Sequence, residues 1–443
     1  MEEKQKELLE LIKSKKVKVG VVGLGYVGLP LAVEFAKQGI VTYGFDVDTN
    51  KIEKLSNGIN YIQDIDDDIV EQVVAEEKLM VSSDFSNIAE CDGVFICVPT
   101  PFTPSKDPDI SYIVNASEEI SKFLRKNQII ILKSTTFPGT TEEYVKPILE
   151  KSNLVAGVDF YLAFSPERID PGNKTWKTDN TPVVVGGLNA ISTELAAAFH
   201  NIVVKHIKQV STPKIAEMEK LLENIFRSVN IALVNEMAQL CDRLGINIWE
   251  VVDAASTKPF GFMPFYPGPG IGGHCILIDP YYLAWKAREF DFVTNFIQLS
   301  AEINEDMPFY VESMVIKEIA KQEVALKNAK ILILGMAFKK DVDDLRHSPA
   351  LKVAELLTKN NISQIDYYDP YIPSIFLNGQ QVHSLTEINS KLLKQYDVCV
   401  ITTDHSAFDY EVIANNSKVV VDTRNACKNI KQRDNIVLLG EGK

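Results

Sequence analysis

The residues best suited to chemistry sit in one short stretch, Phe265-Tyr266-Pro267-Gly268-Pro269-Gly270-Ile271-Gly272-Gly273-His274-Cys275, with Asp279 four residues on. Glycine and proline at that density describe backbone drawn close around a ligand. A cysteine held there, beside His274 and just ahead of a helical stretch expected from Asp279 to Arg288, has the setting of a reactive thiolate. The competing reading is an inert core cysteine. Lys220 and Asn224 are spaced i,i+4 and share one face of a helix. With Glu217, Glu219 and Glu223 close by, a solvated lysine on an acidic face competes with a functional one. Glu167, in Ser165-Pro166-Glu167-Arg168, is a loop carboxylate with the same two readings. His200, His206, His274, His347, His383 and His405 have no metal-ligand spacing, so no metal site is expected.

A second signal is Gly23-Leu24-Gly25-Tyr26-Val27-Gly28, a G-x-G-x-x-G between a strand and a helix, with Asp46 21 residues after Gly25 at a strand end. Gly23 permits the tight turn, Gly25 lets backbone approach a pyrophosphate, and Gly28 lets helix and strand pack closely. The helix N-terminus then faces the phosphates. Asp46 can accept hydrogen bonds from ribose hydroxyls and would repel a 2′-phosphate, which favours NAD over NADP. A glycine turn with no ligand remains the alternative.

These residues need elements to hold them. Val17–Val22 and Val41–Phe45 read as buried strands around a helix from Leu29 to Lys37, a βαβ unit and hence a parallel sheet. Further strands at Gly93–Val98 and Ile129–Leu132 extend it into one doubly wound domain. Thr212 can cap a helix with Pro213 at its first position, and helical periodicity then runs from Lys214 to Leu244 and stops at Gly245. Its apolar positions (Ile215, Met218, Leu221, Leu222, Ile225, Phe226, Val229) form a stripe, and Ile231–Val234 makes it apolar nearly all round, so burial on more than one side is expected. Such a helix is a spine between domains and a candidate dimer contact. The last third repeats the first: Lys330–Gly335 and Ile365–Asp369 mirror the opening strands, while the Gly335-Met336-Ala337-Phe338 turn lacks the second and third glycines and should not hold a dinucleotide the same way. The fold class is therefore α/β, two Rossmann-like doubly wound domains joined by a long central helix and a helical middle domain. Expected bounds are 1–210, 211–324 and 325–443.

Composition narrows the class. The 443 residues suggest two or three domains, and 46 basic against 60 acidic residues give a net charge of −14. That balance argues against a nucleic-acid or anionic-membrane binder. The six cysteines form no C-x-x-C pair, which reads as a reducing, cytoplasmic setting. No targeting segment or membrane span is expected.

Taken together, Gly23–Pro30, Val98-Pro99-Thr100-Pro101, Lys133-Ser134-Thr135, Ser165-Pro166-Glu167-Arg168, Gly272-Gly273-His274-Cys275 and Gly335–Asp341 resemble the nucleotide-sugar 6-dehydrogenases of the UDP-glucose/GDP-mannose dehydrogenase superfamily, from Gly20 to about Arg424. The resemblance implies oxidation of the C6 hydroxymethyl of a UDP-sugar to a carboxylate with two NAD. It implies that Cys275 captures the aldehyde as a thiohemiacetal, which is oxidised to a thioester and hydrolysed. It assigns Lys220 and Asn224 to the developing oxyanion and ordered water, Asp279 to water positioning or proton transfer, Glu167 to thioester hydrolysis, and Thr135 to the same water. NAD would be held by Gly23, Gly25, Tyr26, Val27, Gly28, Asp46 and Thr100, with Arg346 reaching it. Lys220, Asn224, Phe265, Gly272, Lys339 and Arg424 would contact the UDP-sugar.

The wording of Lys258–Phe262 and Pro267–Cys275 is similar to the N-acetyl-hexosamine branch, with UDP-N-acetylglucosamine ahead of UDP-N-acetylmannosamine and UDP-glucose. Leu277 stands where relatives often carry proline, and His347 where they often carry glutamate. The expected partners are the small-molecule substrate and a second copy in a homodimer or higher homo-oligomer. Two rival readings need less of the machinery: a two-electron β-hydroxyacid dehydrogenase needs no cysteine, and a non-catalytic nucleotide-sugar and NAD sensor needs none of Lys220, Asn224, Cys275 and Asp279 together.

Overall fold

Apolar runs with no polar face can be satisfied only by burial on both sides, and the sequence supplies them at short intervals. In the computed structural model, which describes residues 3–62, 65–103, 106–169, 175–273, 275–362 and 364–442 with Cys275 through its backbone alone, they become two sheets. The chain divides into two compact units, residues 1–223 with 281–292, and residues 224–280 with 293–443.

The first unit holds an eight-stranded sheet. Its strands are Lys18–Val22 (β1), Val41–Phe45 (β2), Leu79–Ser82 (β3), Gly93–Ile96 (β4), Ile129–Leu132 (β5), Tyr161–Phe164 (β6), Val183–Gly187 (β7) and Ile207–Val210 (β8). The order is β3-β2-β1-β4-β5-β6-β7-β8, parallel except where β6 meets β7. Neighbours in the sheet reverse direction of chain order between β1 and β4, the switch point at which open α/β sheets bind ligands beyond their carboxyl ends. Asp46, Gly23, Thr100, Thr135 and Glu167 all lie on segments leaving the carboxyl ends of β2, β1, β4, β5 and β6.

The second unit repeats the plan with Lys330–Leu334 (β9), Gln364–Tyr368 (β10), Val398–Ile401, Val420–Asp422 and Ile436–Leu438 in one parallel sheet, plus a hairpin of Ser374–Leu377 and Gln380–His383. Its acidic residue is used differently. Asp369, after β10, accepts hydrogen bonds from the Met336 and Ala337 N–H groups at 2.6 and 2.9 Å and faces His405 Nε2 at 3.0 Å, with both side chains buried. Burial opposes ionisation of Asp369, but the His405 and Ala337 hydrogen bonds outweigh it and hold this carboxyl below its usual range.

The long helix spans Pro213–Leu244, and Thr212 caps it through Oγ1 and the Ile215 N–H at 3.4 Å. One expectation is corrected here. Ile215, Met218, Leu222, Phe226, Leu233, Leu240 and Leu244 are exposed in the single chain, whereas Glu217, Lys220, Asn224 and Asn235 are buried. Periodicity finds the apolar positions but cannot say which face the fold covers, and the covered side of this helix carries Glu217, Lys220, Asn224 and Asn235 together with Leu221 and Val234. A second correction concerns the helix after the glycine loop, which spans Cys275–Ala287 and so begins at the cysteine itself. Pro280 lies inside that helix as its sixth residue, past the first turn whose N–H groups have no partner, so it removes one i→i−4 hydrogen bond.

Candidate active site

The glycine turn of the first unit is built around two contacts that no side chain would permit. Gly23 has φ +91°, and a Cβ on Gly28 would stand 1.8 Å from the Gly23 carbonyl oxygen. Gly25 differs: a Cβ there meets nothing within 4 Å, so its smallness answers to no part of the protein. Space left open at the second glycine is what a bound pyrophosphate needs. The helix Gly28–Lys37 starts with no side-chain cap at Val27 and no acidic residue in its first turn, which leaves its positive end for an anion. Asp46 is tied to the turn, accepting from the Leu24 N–H at 2.9 Å, and Lys51 Nζ lies 3.1 Å from its carboxylate. Tyr26 is exposed and Val27 partly so. Thr100 is buried, and its carbonyl and that of Pro101 both accept from the Tyr282 hydroxyl, which fixes the segment after β4. These features fit a dinucleotide.

Further along the same carboxyl edge, Lys133 is buried with Nζ 3.5 Å from Glu167 Oε2, while Glu167 Oε1 accepts from the Arg168 and Ile169 N–H groups at 2.8 and 3.0 Å. Thr135 is partly exposed beside them in sequence. Lys220 is buried, so the solvated-lysine reading fails for this chain. Three residues earlier, Glu217 accepts from the Gly139 and Thr141 N–H groups at 2.6 and 2.9 Å and from the Thr141 hydroxyl at 2.7 Å. That buried carboxylate joins the start of the long helix to the segment after β5. Arg168 pairs with Glu223 and lies 3.6 Å from Glu219. Burial, with the Glu223 carboxylate adding, pushes Glu219 up to about 7; burial also acts on Glu223, but the Arg168 hydrogen bond outweighs it and holds that group below its usual range.

In the second unit the cysteine loop is pinned at several points. Gly268 N–H donates to Asn235 Oδ1 at 3.0 Å, and Gly273 N–H donates to the Arg346 carbonyl at 2.8 Å. Gly272 and Gly273 lie flat on Phe338, where added Cβ atoms would come within 2.6 and 2.7 Å of its side chain. A Cβ on Gly268 would meet Arg424 Nη1 at 2.6 Å, so the Arg424 guanidinium rests against this loop. The ring of Phe265 meets Phe226 edge-on with centroids 5.8 Å apart. Past the loop, Cys275 is the first helical residue and Asp279 falls one turn later, buried, accepting from the buried Asn224 amide. Arg227 in turn donates to Asn224 Oδ1. His274 and the Cys275 side chain lie outside the described residues. Lys339 is partly exposed on the segment after β9, and Arg346 is clamped by Asp344, Nη2 to Oδ2 at 2.7 Å.

Sequence profiles of the UDP-glucose/GDP-mannose dehydrogenase family match the chain in succession: the NAD binding domain over residues 17–204, the central domain over 214–306 and the UDP binding domain over 332–429. A UDP-N-acetyl-D-glucosamine 6-dehydrogenase of Pseudomonas aeruginosa is 37% identical over 396 residues, covering 89% of this chain and 92% of the relative. The chain belongs to the UDP-glucose/GDP-mannose dehydrogenase family.

A UDP-N-acetyl-D-mannosamine dehydrogenase of Pyrococcus horikoshii is 34% identical over 418 residues, covering 93% of this chain and 96% of the relative. A solved UDP-D-ManNAc dehydrogenase structure from Pyrococcus horikoshii superposes with a TM-score of 0.86 at 33% identity, covering 96% of this chain and 99% of that one. As a family member this protein is an NAD-dependent UDP-sugar dehydrogenase. Four residues received no role from the sequence, although the structure ties each into the contacts described above: Lys133, Glu217, Arg227 and Tyr282. Arg227 carried a faint signal, three residues after Asn224 on one helix. The partners of Lys133, Glu217 and Tyr282 lie 34 to 182 residues away in the chain, beyond any spacing rule.

Proposed function

We propose that this dehydrogenase oxidises the C6 hydroxymethyl of UDP-N-acetylglucosamine to the carboxylate, through a covalent adduct on Cys275. The observation that carries the reading is the buried Asn224–Asp279 pair one helical turn beyond Cys275. Polar side chains buried at that depth cost stability unless function or pairing repays it, and a sensor or two-electron enzyme has no use for them beside a helix-start cysteine. The N-terminus of a helix favours an anion, which suits a thiolate nucleophile at Cys275.

NAD, when bound, would supply the hydride acceptor for the two oxidations at C6. Gly23, Gly25, Gly28, Asp46 and Thr100 would bind it, with Tyr26 and Val27 in the turn and Arg346 as a further contact. The Cys275 sulfur adds to the aldehyde carbon to give a thiohemiacetal, so the aldehyde is not released. After the second oxidation the adduct is a thioester. Water then attacks its carbonyl carbon, one water proton passes to Glu167, and the C–S bond breaks with its electron pair on sulfur. Thr135 holds that water. Lys220 and Asn224 stabilise the oxyanion, worth about 3 kcal/mol for one well-placed donor, and Asp279 positions water or relays the proton. Phe265, Gly272, Lys339 and Arg424 hold the UDP-sugar. A guanidinium and an ammonium suit its pyrophosphate in an otherwise acidic protein.

N-acetylglucosamine is supported by the wording of Lys258–Cys275 and by the 37% identical relative named for that sugar. The free, buried Cys91, Cys97, Cys241, Cys399 and Cys427 support a cytoplasmic protein, and the exposed apolar stripe of the long helix supports a homodimer or higher homo-oligomer. The test is NADH formation against UDP-N-acetylglucosamine, UDP-N-acetylmannosamine, UDP-N-acetylgalactosamine, UDP-glucose and GDP-mannose. Two NADH per UDP-N-acetylglucosamine, highest kcat/KM for that sugar and no uronate from Cys275→Ala are expected. Preference for UDP-N-acetylmannosamine would overturn the sugar assignment. One NADH with free aldehyde, or undiminished uronate from Cys275→Ala, would overturn the covalent route.

A further inference from the structure

Lys133 is 2% exposed, at the carboxyl end of β5. An ammonium so placed costs several kcal/mol unless a counter-charge meets it. Among the described residues the carboxylate within ion-pair distance is that of Glu167, with Nζ 3.5 Å from Oε2. Two other buried titratable groups feel the Lys133 charge and neither can balance it. Burial pushes the Cys97 thiol up to about 12, and burial, with the Lys133 charge adding, pushes the His200 imidazole down to about 3. Both are neutral near pH 7. Among the described residues, Lys133 and Glu167 are therefore each other's electrostatic partner.

The geometry of Glu167 says what the pairing does. Oε1 is taken by the Arg168 and Ile169 N–H groups, which fix one end of the carboxylate. At 3.5 Å, the Lys133 contact is electrostatic and not a tight hydrogen bond. It sets where Oε2 lies while leaving that oxygen's lone pairs for a water. We propose that Lys133 is a positioning residue: its ammonium holds Glu167 Oε2 in the orientation from which the carboxylate takes the water proton during thioester hydrolysis. The inference rests on the reading of Glu167 as the base of that step. Lys133 touches no reacting atom, so its removal should slow deacylation and spare the steps before it.

The experiment is rapid-mixing NADH kinetics at saturating NAD and UDP-N-acetylglucosamine, with intact-protein mass measurement of quenched samples. It compares the wild type with Lys133→Met, Lys133→Gln, Lys133→Arg and Glu167→Gln. For Lys133→Met we expect an NADH burst of wild-type rate, a steady-state rate at least about tenfold lower, and a sugar-acyl adduct on Cys275. Lys133→Gln keeps a polar head in the buried position and should give the same pattern, which covers any folding loss in the methionine variant. Lys133→Arg should recover turnover to within about threefold and show no adduct. A burst slowed as much as turnover, or unchanged turnover with no adduct in both neutral variants, overturns the proposal. If Glu167→Gln accumulates the adduct while the Lys133 variants do not, positioning by Lys133 fails and the base assignment stands. If Glu167→Gln hydrolyses the thioester at the wild-type rate, the base assignment itself is lost.

Discussion

Asp46 Oδ2 accepts the Leu24 N–H at 2.9 Å, so the strand-end carboxylate and the glycine turn are held as one unit. The corresponding Asp369 is spent on Met336, Ala337 and His405, within the protein itself. Two Rossmann-like folds in one chain therefore divide their labour: the first keeps its carboxylate beside a turn that leaves room for a ligand, and the second locks it away.

Asp46→Ala tests that division. Hydrogen bonds to a charged group contribute about 1.5–3 kcal/mol, so the dissociation constant for NAD should rise about 10- to 100-fold by titration calorimetry. The same change frees Lys51, 3.1 Å from the carboxylate, to meet a 2′-phosphate. Discrimination against NADP should fall by at least about tenfold. An unaltered NAD affinity would remove Asp46 from the cofactor site.

Gly25→Ala and Gly28→Ala should fail in different ways. A Cβ at Gly25 meets nothing within 4 Å, so that variant should melt within about 1 °C of the wild type. Its NAD affinity should nevertheless drop at least about tenfold, because the methyl stands where the pyrophosphate approaches. A Cβ on Gly28 would lie 1.8 Å from the Gly23 carbonyl, so backbone must move. Overpacking of that kind costs about 1–3 kcal/mol or more, and both melting temperature and NAD binding should suffer. Intact binding in Gly25→Ala would contradict the assignment of that space.

Much of this was legible beforehand, and the misses share a cause. Both Rossmann-like units, the glycine turn and the long helix follow from local runs and spacings. The strands Leu79–Ser82, Tyr161–Phe164, Val183–Gly187 and Ile207–Val210 did not; the last two extend the sheet beyond its parallel run, one by an antiparallel pairing. The long helix was found within a residue at its start, yet its exposed face was misjudged. The partners that bury Glu217 and Asn235 are Gly139, Thr141, Gly268 and Asn304, 33 to 78 residues away. A lysine such as Lys133 reads as surface charge until a distant carboxylate is brought to it. For the Cys275 helix, Pro280 hid a start that lay five residues earlier.

Acidity should stabilise the protein through Glu219. Its carboxyl is pushed up to about 7, above its unfolded value, by burial and then by Glu223. A raised carboxyl favours the protonated folded state, so its contribution is complete below about pH 4.5 and is lost as pH rises through about 7. Glu223 is held below its usual range and opposes the trend only at lower pH. His200, held down to about 3 by burial, acts in the opposite sense as pH rises to about 6.5, so the Glu219 contribution is read from the difference between the wild type and Glu219→Gln, which is neutral throughout. That difference should grow between about pH 5 and 7, with the variant melting about 2–4 °C above the wild type at pH 8. A difference that does not change with pH would sink the assignment.

The apolar stripe of the long helix makes a prediction about assembly. Leu222, Phe226, Leu233 and Leu240 recur at four- and seven-residue intervals and are exposed, while the helix buries Lys220, Asn224 and Asn235. A continuous apolar stripe in water is a liability that a second copy can remove by packing the same stripe against its own, as an isologous contact requires. The wild type should sediment as a dimer and Leu222→Lys with Leu233→Lys as a monomer in sedimentation velocity, since two buried leucines would contribute about 1.5–3 kcal/mol each per copy and the introduced charges would repel across a two-fold axis. Both positions face solvent in the single chain, so the far-ultraviolet circular dichroism of the variant should match the wild type. A wild-type protein that sediments as a monomer at micromolar concentration, or a variant that still dimerises, would leave the stripe without its proposed partner.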